Sequence, residues 1–146
     1  MWRREESDAD GTAARRRGVG RSWIIHAEEG HIVRILIVED HFLVADALRM
    51  ILDEAGHMVV GIAAEPREAV CLAMRCRPDV ALVDIHLAHG TNGVDAAREM
   101  KAAHGIPSIF VTGNPEAARL AGGVALGCLT KPYTDEEGRG ALCTVA

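Results

Sequence analysis

Two short apolar runs in this chain end in carboxylates. Val80-Ala81-Leu82-Val83 leads into Asp84, and Ile35-Leu36-Ile37-Val38 leads into Glu39 and Asp40. Runs of small and branched apolar residues read as strands buried on both faces of a parallel sheet. Ligands of such sheets collect outside the carboxyl ends of the strands, which is where all three acids would lie. Two later strand ends add a hydroxyl and an ammonium: Thr112 after Ser108-Ile109-Phe110-Val111, and Lys131 after the stretch from Leu126 to Leu129. Two unit charges about 4 Å apart interact by roughly 4 kcal/mol at an effective dielectric near 20, so three carboxylates at one edge repel strongly. A fold keeps them together only if a cation relieves the repulsion. Mg²⁺ suits the task, because it takes hard oxygens and is typically held by one or two carboxylates plus a phosphate. The backbone carbonyl of His86, two residues beyond Asp84, is a further candidate ligand. An aspartate can itself attack phosphorus and form an acyl phosphate, while a metal and a lysine offset charge on the phosphoryl oxygens. Thr112 could donate its hydroxyl to one such oxygen and Lys131 could pair with another. Singly, each residue has a plainer reading. Asp84 could be a turn residue, Thr112 a strand end, Lys131 a solvated charge and Glu39-Asp40 a cap on the next helix. Jointly, at successive strand ends, they point to phosphoryl chemistry.

The elements that must position these groups follow in order. After the first acids, Leu43, Val44, Ala47, Leu48, Ile51, Leu52 and Ala55 recur at helical spacing, and Gly56 is a stop. Met58 to Ala63 is the next strand. Pro66 suits the first turn of a helix through about Met74, with Ala69, Val70, Ala73 and Cys76 toward the sheet. Pro78 leads into the Asp84 strand. A loop from Ile85 to Gly93 ends in an Asn-Gly turn, and a helix from Val94 to about Ala103 carries Val94, Ala97 and Met100 on one face. Pro107 introduces the fourth strand. Residues 114 to 124 are Ala- and Gly-rich, so the helix there should be short and weak. After the fifth strand, Thr134 to Glu137 has the form of a capping box that starts a last helix toward Val145. Five βα units with right-handed crossovers make an α/β three-layer sandwich of the flavodoxin-like (βα)5 type, its five-stranded parallel sheet in order 2-1-3-4-5.

Residues 1 to 32 mix arginines with acids and glycines without a sustained apolar period. Such a segment cannot bury enough surface to offset its ordering entropy, so disorder is expected there, with the folded domain at 33 to 146. A chain of 146 residues, 49% hydrophobic, can bury one sizeable core. It has no apolar run long enough to span a membrane and no apolar stretch behind the N-terminal arginines to direct secretion. Cys71, Cys76, Cys128 and Cys143 lack metal-site spacing and read as reduced residues of a cytoplasmic protein. The net charge of -5 disfavours a nucleic-acid groove in the folded part.

Val38-Glu39-Asp40, Val83-Asp84, Val111-Thr112-Gly113 and Lys131-Pro132 together resemble the response-regulator receiver domain of bacterial two-component signalling. That resemblance implies Asp84 as phosphoacceptor, a sensor histidine kinase or histidine phosphotransferase as donor, and Mg²⁺ held by Asp40, Asp84 and Glu39. It also implies a cis peptide bond before Pro132. The implied output is a shape change read by a downstream protein, or the draining of phosphoryl groups from a shared kinase. Enzymatic activity would then be confined to the chain's own phosphorylation and dephosphorylation. A homodimer formed on phosphorylation stays open. Pro107-Ser108-Ile109-Phe110-Val111-Thr112-Gly113 is similar to the Pro-Phe-x-Phe-Ala-Thr-Gly motif of a receiver subfamily tied to bacterial general stress responses.

The chain departs from the pattern at three places. Receivers usually carry an aromatic three residues before the lysine, which turns inward as the threonine moves; here Cys128 stands there, with no ring to swing. The loop after Asp84 is one residue longer than expected and has Ala88 where proline is common, and the Thr112 to Lys131 stretch is short. His86 could tune a water attacking the acyl phosphate, against the plainer reading of an exposed loop histidine, as for His89. His41 reads as a helix-start residue. Three alternatives remain: a degenerate receiver that binds partners without phosphorylation, a Mg²⁺-dependent phosphohydrolase of the haloacid-dehalogenase type, and an FMN binder. The phosphohydrolase needs an aspartate where His86 stands, and Glu39-Asp40 would repel the phosphate of FMN.

Overall fold

The computed structural model of the chain describes residues 3–4, 25–26 and 32–131. Strand β1 (Arg34–Val38) is followed by α1 (Phe42–Glu54), β2 (Met58–Ala63), α2 (Pro66–Cys76), β3 (Val80–Val83) and α3 (Gly93–His104). The chain continues through β4 (Ser108–Thr112), the short α4 (Pro115–Leu120) and β5 (Gly127–Thr130). All five strands pair in parallel in the order β2-β1-β3-β4-β5, the 2-1-3-4-5 arrangement expected from the sequence. Arg3–Arg4 also pairs antiparallel with Ile25–His26. The rest of residues 1 to 31 lies outside the described residues. So do Pro132 and its expected cis bond, the Thr134 to Glu137 capping box with the last helix, and Cys143.

Alternation along the strands sorts the core into two faces. Leu36 and Val38, Ala81 and Val83, and Phe110 pack with Ala69 and Ala73 of α2 and Ala97 and Met100 of α3. Ile35 and Ile37, Val80 and Leu82, and Ile109 and Val111 pack with Ala45, Leu48 and Leu52 of α1. The small alanines of α2 and α3 let those helices sit close to the sheet. The large side chains supply the burial, each worth about 1.5–3 kcal/mol.

Helix ends follow local chemistry. Pro66 occupies the first turn of α2, and Gly105 at φ +66° terminates α3 in the left-handed region that a side chain disfavours. In α1 the buried stripe is Ala45, Leu48 and Leu52, while Leu43 is 79% exposed. The apolar arc read from the sequence is thus wider than the sheet can cover. Helix α3 begins at Gly93, one residue before Val94, because the Asn92 side chain accepts from Val94 N at 2.8 Å and caps it. Between Thr112 and β5 the chain manages only the six residues of α4 and a 3₁₀ turn at Gly122–Val124, in keeping with its shortness and glycine content.

Two buried polar groups in this frame generate predictions. His57 accepts a hydrogen bond from Val33 N at 3.3 Å on Nδ1, and burial lowers its pKa from 6.5. The unfolded chain then binds a proton that the native state refuses, so His57 costs stability as pH falls through 6.5 and below. Denaturant titrations between pH 7.5 and about 5 should show a steeper loss for the wild type than for His57→Gln. Ser108, 1% exposed, has a hydroxyl with no partner among the described residues. Ser108→Ala should raise unfolding stability by about 1 kcal/mol in urea.

Candidate functional site

The carboxyl ends of β1, β3, β4 and β5 meet at one edge of the sheet. Because β1 and β3 are in register from Ile35↔Val80 to Val38↔Val83, the residues after them, Glu39 and Asp84, emerge side by side. Asp84 N donates to Val38 O at 2.8 Å and Glu39 N to Ala63 O at 2.9 Å, which extends the ladders one step to the acids themselves. The carboxylates of Glu39, Asp40 and Asp84 offer oxygens all within 4.8 Å of one another. Glu39 is 3% and Asp84 8% exposed, so this is a partly desolvated cluster and not a surface run of acids.

Lys131 answers the charge. Its position follows from β5, whose pairing with β4 ends at Thr112↔Thr130 and is followed by Lys131 N donating to Thr112 O at 2.8 Å. Its Nζ reaches Glu39 Oε2 at 2.8 Å and Asp84 Oδ2 at 3.2 Å. The second oxygens are held by backbone: His41 N donates to Glu39 Oε1 at 3.0 Å and His86 N to Asp84 Oδ1 at 3.1 Å. Asp40 is different. Its Oδ1 is buried and has no hydrogen-bond partner among the described residues.

The titration behaviour reflects this contest. Burial pushes the Glu39 carboxyl above 4.5, against the hydrogen bonds from Lys131 and His41. Its contribution to stability is present below 4.5 and is lost as pH rises through the raised value. For Lys131 burial works against the ammonium, but Glu39 and then Asp84 outweigh it and raise its pKa above 10.5. That contribution is present below 10.5 and is lost as pH rises through the folded value.

Thr112 is fully buried at the end of β4, and its Oγ1 accepts from Asn114 N at 3.1 Å. Asn114 in turn caps α4, its Oδ1 accepting from Glu116 N and Ala117 N. The sequence reading did not single out Asn114, although an Asn directly before a Pro at the first helical position is a start signal. Cys128 lies opposite Phe110 in the β4–β5 register and packs half-buried against the core under α2, α3 and α4. Burial pushes its thiol pKa above 9.0. The histidines of the neighbouring loop, His86 and His89, are exposed, and His89 adopts φ +59° inside a 3₁₀ turn at Ala88–Gly90. His41 is the N-cap of α1, without a side-chain cap bond.

An orphaned buried oxygen beside two further carboxylates is a donor set for a hard divalent cation, and Mg²⁺ fits it. Without a metal the cluster trades stability for readiness. Lys131→Met should destabilise the metal-free protein by less than about 3 kcal/mol, because the 23% exposure of the lysine side chain screens the pair. Asp40→Asn should stabilise the metal-free protein by roughly 1–3 kcal/mol, as repulsion is relieved. Thermal or urea unfolding in chelator checks both.

Comparison with known proteins agrees with this geometry. Residues 35–142 match the response regulator receiver domain. The phyllosphere-induced regulator PhyR of Methylorubrum extorquens is 41% identical over 83 residues, 56% of this chain and 31% of that protein. The transcriptional regulatory protein PdtaR of Mycobacterium tuberculosis is 35% identical over 106 residues, 69% of this chain and 50% of that one. The chain therefore spans half or less of the length of these curated relatives. Among solved structures, the response regulator PhyR from Brucella abortus superposes with TM-score 0.68 at 34% identity, covering 79% of this chain and 48% of that one. The PhyR receiver domain of Erythrobacter litoralis gives TM-score 0.69 at 29% identity, covering 81% and 92%. With a family match over most of its length and the acid cluster at the matching strand ends, this chain belongs to the response regulator receiver domain family.

Proposed function

We propose that the chain is a phosphoacceptor of a two-component phosphorelay, with Asp84 as the residue modified. The observation that carries this is the bridging of Glu39 and Asp84 by Lys131 beside the unpartnered Asp40 oxygen: a carboxylate is paired with an ammonium next to a cation-ready donor set. A carboxylate oxygen of Asp84 attacks the phosphorus of a phosphohistidine on a sensor histidine kinase or histidine phosphotransferase. An O–P bond forms as the N–P bond breaks, and the imidazole leaves with the electron pair and takes up a proton. Asp40, Asp84 and Glu39, with the His86 carbonyl, would hold Mg²⁺, which when bound neutralises phosphoryl charge. Lys131 pairs with one phosphoryl oxygen. The Thr112 oxygen already accepts from Asn114 N, so its own proton is available for another.

The output follows from the same residues. Cys128 cannot supply the swinging ring of other receivers. Moving the Thr112 hydroxyl toward a phosphoryl group withdraws it from Asn114 and disturbs the cap on α4. The shape change then reaches a protein partner through α4, or the chain serves as a phosphate sink. A structural relative, PhyR of Bartonella quintana, is described as an anti-anti-sigma factor. Together with the likeness of Pro107 to Gly113 to the stress-response motif, this makes a protein of sigma-factor control the favoured partner. A cytoplasmic location goes with this reading, on the side of the membrane where the kinase donors would act.

Incubation with Mg²⁺ and acetyl phosphate should add a single phosphoryl group, seen by intact mass, that is absent in Asp84→Asn. Beryllofluoride with Mg²⁺ should shift the amide resonances of Asn114 and of Glu116 to Leu120. A protein that takes neither phosphoryl group nor beryllofluoride is a phosphorylation-independent binding module instead.

A further inference from the structure

The phosphoaccepting carboxylate is braced from behind as well as from the front. A Cβ placed on Gly93 would lie 1.9 Å from the Asp84 carbonyl oxygen, 2.9 Å from its carbonyl carbon and 2.7 Å from Val83 Cγ1. No side chain tolerates such separations, so the first turn of α3 seats on the Asp84 peptide only as glycine. The need is for room and not for backbone freedom, since Gly93 is not among the positive-φ glycines, which include Gly90 and Gly105. The same turn is tied down on three sides. Gly93 N donates to Ile85 O at 2.8 Å, Asn92 caps Val94 N, and His86 bridges to Asn92 across the loop. The segment from Asp84 to Gly93 thus leaves the strand end and closes back on it. Meanwhile the Asp84 carboxylate is gripped by His86 N and Lys131 Nζ.

We infer that Gly93 is a positioning residue for Asp84: its missing Cβ lets α3 fix how far the Asp84 peptide stands from Asp40 and Glu39. This rests on the reading of Asp84 as phosphoacceptor and metal ligand. Strand β3 lies between β1 and β4 with all four residues buried, so its last peptide has no free side on which to yield. A Cβ at position 93 must therefore push Asp84 toward the acid cluster or lift α3 and break the loop closure. In either case the spacing of the carboxylates changes.

The test separates positioning from mere loss of stability. Gly93→Ala is compared with Met100→Ala, which hollows the buried core farther along the same helix and destabilises the fold without touching the Asp84 peptide. At a temperature where both are folded, Mg²⁺ affinity is measured by calorimetry and phosphorylation by acetyl phosphate by its rate. Gly93→Ala should lose about tenfold or more in Mg²⁺ affinity, the scale of a lost supporting contact at a metal site. Met100→Ala should stay within about twofold, as a distant independent substitution does. The double variant Val83→Ala with Gly93→Ala frees one of the three close contacts. It should regain stability without regaining Mg²⁺ affinity. Equal Mg²⁺ affinity in Gly93→Ala and Met100→Ala overturns the inference, as does recovery of affinity in the double variant. Should Gly93→Ala not fold, Asn92→Ala loosens the same turn without adding atoms, and unchanged Mg²⁺ affinity there overturns it as well. Failure of the wild type to accept a phosphoryl group would strike the phosphoacceptor reading alone, because Mg²⁺ affinity still reports on positioning.

Discussion

Repulsion among Glu39, Asp40 and Asp84 is the constraint on which the rest of the structure turns. Three carboxylates within 4.8 Å of one another, two of them buried, would drive any loose assembly apart. The sheet holds them by brute covalent and ladder geometry. Central strands with every side chain buried, β1 beyond Arg34 and β3 throughout, bring the acids to one edge in register. Lys131 then arrives from β5, two places from β3 and three from β1, and bridges two of the three. What remains unsatisfied in the cluster, among the described residues, is one oxygen of Asp40. A stable core is here spent on keeping an electrostatically unfavourable cluster in place, which is how proteins commonly hold a reactive site.

Much of this was legible in the sequence because buried parallel strands are written as apolar runs, and their ends are written as abrupt polar residues. The order of strands and helices, the 2-1-3-4-5 topology, and the meeting of Glu39, Asp40, Asp84, Thr112 and Lys131 at one edge follow from that writing. Other features depend on tertiary detail. The stripe that α1 buries is set by how its axis lies on the sheet, so Leu43 looks like core and stands in solvent. The capping of α3 by Asn92 was hidden under an Asn-Gly pair that reads equally well as a turn. The need for glycine at 93 arises from a residue nine positions earlier and has no local trace. Asn114 had a readable start signal, but its link to the Thr112 hydroxyl depends on how the chain bends after β4.

The route of communication proposed for this chain departs from the family pattern. With Cys128 packed beside Phe110's strand and no ring at that position, the hydroxyl of Thr112 has one connection among the described residues, the Asn114 amide. Asn114 caps a helix of only six residues with no fully buried side chain. A helix so short draws a large share of its stability from its cap, at about 1 kcal/mol. On the proposed reading, a small displacement of the buried Thr112 hydroxyl would then have a structural consequence at α4 without an aromatic rotor.

If this acid cluster makes Asp84 a temporary phosphoryl carrier, the modification must be visible on the protein. Its most direct test is transfer from a radiolabelled phosphohistidine donor in the presence of Mg²⁺. If Asp84 is the acceptor, label appears on the chain, is released by alkali and by hydroxylamine as an acyl phosphate must be, and is absent when Mg²⁺ is chelated. Label that survives alkali, or transfer that proceeds unchanged in Asp84→Asn, would contradict it.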